Sequence, residues 1–253
     1  MSYPDLKITF LGTGTSSGVP MIGCNCEVCT STNKKDKRLR SSILVESNST
    51  TLVVDTTPDF RYQMLRADVK QLDAVVFTHP HKDHIAGLDD VRAYNFFSYK
   101  PMEIYANALT EFKYAFSENK YPGIPKLNIN EISTEPFLVG DIPVAPIIVK
   151  HLKMPVLGFR FGKFTYITDA NEIEDEEKEK IKGSEFIVLN ALRKEKHISH
   201  FTLSEAISLA DQLEIPSAYF THMSHQIGKH DEINRELPTG RQLAWDGLQL
   251  NIN

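Results

Sequence analysis

Thr78-His79-Pro80-His81-Lys82-Asp83-His84 is the stretch on which the reading of this chain turns. Three of the nine histidines and one aspartate fall within six residues, directly after the apolar run Leu72-Asp73-Ala74-Val75-Val76-Phe77 and before Ile85-Ala86-Gly87-Leu88. The pattern predicts a strand, a tight polar loop and a helix from residue 89 to about 99, a rigid mount for side chains that must converge. His79 and His81, two apart in an extended segment, point the same way. Asp83 and His84, adjacent at the turn into a helix, diverge and can serve a second centre. Neutral imidazole and carboxylate are the ligand set of Zn²⁺, Mn²⁺ or Fe²⁺. A lone histidine here would read as incidental polarity, whereas the cluster reads as a metal site.

Working outward, the 253 residues are 41% hydrophobic and 24% charged, which allows a substantial core and argues against disorder. The simpler expectation is one domain over residues 1–253, because no linker, repeat or low-complexity segment divides the chain. The formal net charge of -5 argues against broad nucleic-acid binding, though a local basic patch is still allowed. No apolar run approaches the ~20 residues that span a bilayer, so no membrane partner is expected. Met1-Ser2-Tyr3-Pro4-Asp5 lacks the basic and apolar regions of a secretory signal. Cysteine usage agrees with a cytoplasmic location: three thiols packed into six residues make no disulfide framework.

Toward the N-terminus, Leu6-Lys7-Ile8-Thr9-Phe10-Leu11 alternates as a strand and enters the loop Gly12-Thr13-Gly14-Thr15-Ser16-Ser17-Gly18-Val19-Pro20. Glycine spacing after a strand is that of a dinucleotide loop, but Pro20 and the lack of a following helix make that reading weak. An anion-binding turn and a plain loop both remain open. In Cys24-Asn25-Cys26-Glu27-Val28-Cys29, three thiolates can wrap one tetrahedral Zn²⁺ and leave one position for a histidine; the alternative is three buried thiols. The basic run Lys34, Lys35, Lys37, Arg38 and Arg40 reads first as a solvated face and second as a phosphate contact. Two strands, 42–46 and 51–55, flank a hairpin turn, and a helix is expected over 58–67 with Pro58 at its first position. Asp55 closes the second strand, either as a cap-like residue or as a support for the metal loop.

Beyond the histidine loop the sequence predicts a strand at 103–106, a helix at 109–117, an aperiodic segment over 120–136 and a strand over 142–149 that delivers His151. A hairpin of 159–161 with 163–168 delivers Asp169. A charged helix over 172–182 and a strand at 186–189 follow, then a loop with His197 and His200. Thr202-Leu203-Ser204-Glu205 is a capping box for a helix ending near 213. A strand at 217–221 delivers His222, and a short helix and a last strand over 248–252 complete the pattern. His79, His151, Asp169 and His222 thus each sit just past an apolar strand, so strands ending at a common edge would project all four to one place.

With those residues in order, His79-x-His81-x-Asp83-His84, His151, Asp169 and His222, the sequence resembles the metallo-β-lactamase fold superfamily. The resemblance implies an α/β fold, a four-layer αββα sandwich, with two divalent ions (Zn or Mn) in the active site. His79, His81 and His151 would bind one ion, Asp83, His84 and His222 the other, and Asp169 would bridge them. A closer resemblance is to the phosphoribosyl 1,2-cyclic phosphate phosphodiesterases. It rests on Gly12-Thr13-Gly14-Thr15, Gly18-Val19-Pro20, Gly23-Cys24-x-Cys26-x-x-Cys29 and Thr221-His222-x-Ser224-His225, and it covers essentially the whole chain. It implies His225 as the fourth ligand of a structural Zn held by Cys24, Cys26 and Cys29.

The activity implied is hydrolysis of a small cyclic phosphodiester by a metal-activated hydroxide, with Asp83 catalytic as well as ligating. His200, which precedes a helix N-terminus, is assigned the general acid, with His197 as the second choice. The expected partner is a small phosphodiester; a homodimer is compatible with this reading. Rival activities are a tRNA 3′-processing nuclease, whose extended Gly/Pro-rich arm is not found, a thioesterase, and a non-catalytic metal-binding protein.

Overall fold

Runs of valine, isoleucine and leucine without polar alternation need apolar cover on both faces. The computed structural model, which describes residues 3–107 and 124–253, supplies that cover with two sheets between helices. The first sheet contains β1 (Leu6–Gly12), β2 (Ser42–Glu46), β3 (Thr51–Val54), β4 (Ala74–Val76), β5 (Met102–Ala106) and β6 (Leu127–Glu131). The second contains β7 (Phe137–Val139), β8 (Ile142–His151), β9 (Met154–Phe161), β10 (Phe164–Tyr166), β11 (Phe186–Asn190), β12 (Ser217–Thr221) and β13 (Arg241–Leu243). β14 (Gln249–Ile252) returns to pair with β1. The spatial orders are β14-β1-β2-β3-β4-β5-β6 and β13-β12-β11-β10-β9-β8-β7.

Side-chain alternation explains the layering. In β2, Ile43 and Val45 enter the core between the sheets while Leu44 faces the opposite way; β3 repeats this with Leu52 and Val54 against Val53. The outward set packs under α1 (Phe60–Arg66), α2 (Lys82–Ile85) and α3 (Arg92–Ser98) through Phe60, Met64 and Ile85. On the second sheet Val188 faces inward, and Ile187 and Leu189 pack under α4 (Asp175–Ile181), α5 (Leu203–Gln212) and α6 (His230–Glu236). The result is the αββα sandwich.

The parallel pairs β3–β4, β10–β11 and β11–β12 run in one direction within their sheets. β8 reaches the same direction as β10 through two antiparallel steps. Strands β4, β8, β10 and β12 therefore deliver the four expected donors at strand ends.

Several elements differ from expectation. The helix expected from residue 58 starts at Phe60, because the Asp59 carboxylate is taken by Arg40 at 3.1 Å and Asp59 N–H donates to Thr57 Oγ1. The helix expected over 89–99 is a 3-10 turn, Leu88–Val91, followed by α3. The charged helix is shorter, Asp175–Ile181, and β6 occupies part of the segment read as aperiodic. The capping box forms: Glu205 N–H donates to Thr202 Oγ1 at 3.2 Å and Thr202 N–H to Glu205 Oε2 at 2.8 Å, a cap worth about 1 kcal/mol. Within the basic run Arg38 is no part of a solvated face, being buried and hydrogen-bonded within the fold, whereas Lys34 is exposed. The helix expected over 109–117 lies outside the described residues.

Candidate metal centre

The site is built on strained strand ends. Asp55, Asp169 and His222, which follow β3, β10 and β12, have φ of 67°, 55° and 54°. Leu152, directly after His151, has φ of 58°. Non-glycine residues in this left-handed region cost on the order of 1–3 kcal/mol each and persist only where the surroundings hold them. Here the hold is a hydrogen-bonded frame, and it aims side chains that regular strand geometry would turn away.

Asp55 organises the histidine loop. Its Oδ1 accepts Thr78 N–H at 2.9 Å, and its Oδ2 accepts Thr78 Oγ1–H at 2.9 Å and lies 2.7 Å from His84 Nδ1. Thr78 Oγ1 is also 2.9 Å from His79 Nδ1. With their Nδ1 atoms engaged, His79 and His84 present Nε2 to the interior, where that of His79 is buried without a hydrogen-bond partner and that of His84 faces the carboxylates of Asp83 and Asp169. Buried polar atoms ordinarily have partners, and an unpartnered imidazole nitrogen beside this group of carboxylates fits a cation.

Asp83, His84, Asp169 and His222 each offer a donor atom within one group compact enough to hold an ion. His84 Nε2 lies 3.3 Å from Asp83 Oδ2 and 3.2 Å from Asp169 Oδ2, and His222 Nδ1 lies 3.2 Å from Asp169 Oδ2. A second group joins His151, Asp169 and His200. The His79 and His81 rings adjoin it, with the His81 and His151 centroids 5.2 Å apart and those of His79 and His81 4.6 Å apart. Asp169 belongs to both groups. His200 stands closer to the donors than a remote acid would: its ring is 4.7 Å from that of His151 and 4.9 Å from that of His222, and its Nδ1 is 3.9 Å from Asp169 Oδ1. His197 lies outside this ring of donors, stacked on His200 at 5.2 Å.

Except at His84, the shifts favour neutral imidazoles and an ionised Asp169, the forms that bind a metal. Burial, reinforced by His84, pushes His79 well below the usual histidine range. Burial likewise lowers His81 and His222, and with His222 it takes His200 down to about 3. Burial opposes ionisation of Asp169, but His222 and His84 hold its carboxylate well below its ordinary value. His84 goes the other way: burial disfavours its charge, yet Asp169 and Asp55 hold the imidazolium well above the usual range. Between two carboxylates the site thus already favours a positive charge, the place a bound cation would take.

A second cluster lies beside the first. Cys24 Sγ and Cys26 Sγ are 3.4 Å and 3.2 Å from His225 Nδ1, and Cys29 completes a four-donor group with them. The hydrogen bond from His225 lowers the Cys26 thiol to about 6, while burial raises Cys29 to about 11. A thiolate-rich tetrad without a carboxylate suits structural Zn²⁺.

Sequence reasoning missed the hydroxyls that orient the donors. Thr168 Oγ1–H donates to Asp169 Oδ2 at 2.7 Å, and Thr15 Oγ1 lies 3.2 Å from His222 Nε2. A signal was present: Thr78-His79, Thr168-Asp169 and Thr221-His222 repeat a threonine immediately before a donor. The Ser199 carbonyl, 3.0 Å from His151 Nδ1, has no such signature.

Comparison with known proteins places this geometry. A family model described as a beta-lactamase superfamily domain matches residues 50–223. The crystal structure of a new diphosphatase from the PhnP family is 40% identical and superimposes with a TM-score of 0.93 over 98% of each chain. Octanoyltransferase of Porphyromonas gingivalis is 37% identical over 257 residues, 98% of this chain and 52% of that protein. Human tRNase Z, short form, superimposes with a TM-score of 0.72 over 96% of this chain and 98% of its own at 17% identity, a likeness of fold alone.

The chain belongs to the beta-lactamase superfamily, whose fold implies divalent metal ions. Within it the chain falls in the PhnP-like subgroup. It spans about half the length of the Porphyromonas relative. Among the described residues no helix is long and apolar enough to cross a membrane.

Proposed function

We propose that this protein is a dinuclear-metal-dependent phosphodiesterase acting on a small cyclic phosphodiester such as phosphoribosyl 1,2-cyclic phosphate. The observation that carries the proposal is the sharing of Asp169 by two donor groups. Asp83, His84 and His222 would hold one divalent ion, Zn or Mn, and His79, His81 and His151 the other, with Asp169 serving both. When bound, such a pair supplies an activated water and charge neutralisation for the phosphoryl oxygens. The 40% identical PhnP-family diphosphatase supports chemistry at a phosphorus centre. The Porphyromonas octanoyltransferase does not choose a substrate, because the match takes in only 52% of it.

The chain's own residues divide the remaining work. Asp55 and Thr78 orient His84 and His79; Thr168 orients Asp169. Asp83, its side chain 17% exposed, is the carboxylate of the group with most access to an entering substrate. His200 serves as general acid. It is neutral in its buried setting, and an anionic phosphodiester brought beside it favours the imidazolium, which then holds the proton that the leaving alkoxide needs. Cys24, Cys26, Cys29 and His225 hold a structural Zn that does no chemistry. We place the protein in the cytoplasm as one catalytic domain, with neither nucleic acid nor membrane as partner.

The deciding experiment is a substrate panel with Mn²⁺ and with Zn²⁺: cyclic ribosyl phosphates, cyclic nucleotides, nucleoside diphosphates, precursor tRNA and thioesters. Turnover confined to small cyclic phosphodiesters is the expected result. Preferred cleavage of precursor tRNA or of a thioester would overturn the proposal.

A further inference from the structure

Arg38 is 3% exposed, an unusual setting for a guanidinium, and its bonds show what it does there. Nη1 donates to Thr13 Oγ1 at 2.9 Å and to the Ala244 carbonyl at 2.7 Å. Nη2 lies 3.1 Å from His230 Nδ1, which must therefore accept. His230 meets the Trp245 ring edge-on at 5.7 Å, and its backbone N–H donates to Asp36 Oδ1 at 2.7 Å.

The Thr13 hydroxyl that accepts from Arg38 donates in turn to Asp246 Oδ1 at 2.8 Å. The other oxygen of Asp246 accepts Leu39 N–H at 2.8 Å and pairs with Arg66 at 3.2 Å. A single hydroxyl is thus held between a buried cation and a buried carboxylate. Leaving either charge unpaired in the interior would be costly, so the clamp is stiff.

The clamp reaches the metal centre in two further steps. Met223 N–H donates to the Thr13 carbonyl and Thr15 N–H to the Met223 carbonyl, both at 3.0 Å, which locks residues 13–15 beside the residue that follows His222. Thr15 Oγ1 then stands 3.2 Å from His222 Nε2. On the other side of that ring, Thr168 Oγ1 is 3.4 Å from Nδ1, but its proton already goes to Asp169 at 2.7 Å. Thr15 and Thr168 therefore hold the two ring nitrogens from opposite sides and fix the orientation in which the ring faces Asp169.

We propose that Arg38 and Asp246 are positioning residues for the metal centre: by clamping the Thr13 hydroxyl they fix the 13–15 loop, and through Thr15 they set the ring orientation of His222. The inference rests on the reading of His222 as a ligand. It gives the C-terminal segment around Trp245-Asp246 and the basic run at Arg38 a role in ion binding that neither plays by direct contact.

The test is an ion-by-ion titration of protein stripped of its labile ions, with Mn²⁺ or Zn²⁺ against a chromophoric chelator. Thr13→Val, Thr15→Val and Arg38→Lys should each weaken one of the two active-site ions by about tenfold, the scale of losses in outer-shell partners, and leave the other unchanged. Thr13→Ser, which keeps the hydroxyl, should bind both ions like wild type. Thr9→Val is the folding control, since the Thr9 hydroxyl is buried without a partner, and it should change neither affinity. Unchanged affinities in Thr13→Val and Thr15→Val, alongside a clear loss in His222→Ala, would overturn the clamp while sparing the ligand assignment. Equal weakening of both ions would reduce it to general support of the fold. If His222→Ala itself binds both ions normally, the ligand assignment fails and the clamp proposal with it.

Discussion

His222 and His225 stand three residues apart and belong to donor groups made from opposite materials. His222 faces a hand of buried imidazoles and carboxylates set on the ends of sheet strands, with three of its frame residues, Asp55, Asp169 and His222, in left-handed backbone conformations. His225 faces three sulfurs on a loop, two of them on half-buried cysteines, packed over a small cluster of Val19, Val28 and Cys29. The first group is fixed by the two sheets and would remain in place if emptied. The second has little packing of its own, and the proposed zinc would define it. Rigidity supplied by the fold suits exchange and chemistry, and rigidity supplied by the ion suits structure.

That contrast can be broken at four points. The largest effect is expected from Asp169→Ala, which removes the donor common to both groups: turnover should fall below detection while the thermal transition stays cooperative. Activity within about tenfold of wild type would mean that the two groups act independently of Asp169.

His200→Ala comes next. As general acid it should cost about 10² to 10⁴ in rate on a diester with an alkoxide leaving group, and much less on a nitrophenyl ester, whose leaving group departs without a proton. Metal content measured alongside separates the roles, because His200 lies with His151 and Asp169 in a donor group. Loss of an ion from the variant would make His200 a ligand instead.

Asp55→Asn should lower affinity for the ion at His84 about 10- to 100-fold, read by chelator competition, since it weakens the acceptor behind the His84 Nδ1–H. Unaltered affinity would make Asp55 a loop cap only. The smallest effect on catalysis is expected from Cys26→Ser. Its signature is a fall in melting temperature of a few degrees, the size that about 1–2 kcal/mol produces in a chain of this length. An unchanged melting temperature and unchanged zinc content would show three ordinary thiols.

The same contrast decides what was legible in the sequence. His79, His81, Asp83 and His84 share one loop and could be read directly. His151, Asp169 and His222 were legible only because each repeats the same context of apolar strand followed by loop. Asp55 was ambiguous because its partners, Thr78 and His84, are brought to it by sheet pairing and not by sequence proximity. β6 escaped notice because its asparagines are poor strand formers; they are held by Glu103 on the neighbouring strand, where Asn128 and Asn130 both donate at 2.8 Å. Arg38 was misread for the same reason as Asp55, because its buried partners Thr13, Ala244 and His230 lie far from it along the chain.

The central claim is that two exchangeable ions share Asp169 while a third ion is held apart by the cysteines. The most direct measurement is elemental analysis of fully active protein before and after mild chelation, with activity and melting temperature followed in parallel. The expected result is three metal ions per chain, two of which leave together with the activity, while one zinc remains and the fold is retained. A single ion per chain in fully active protein, or loss of all ions in one step with unfolding, would contradict the account.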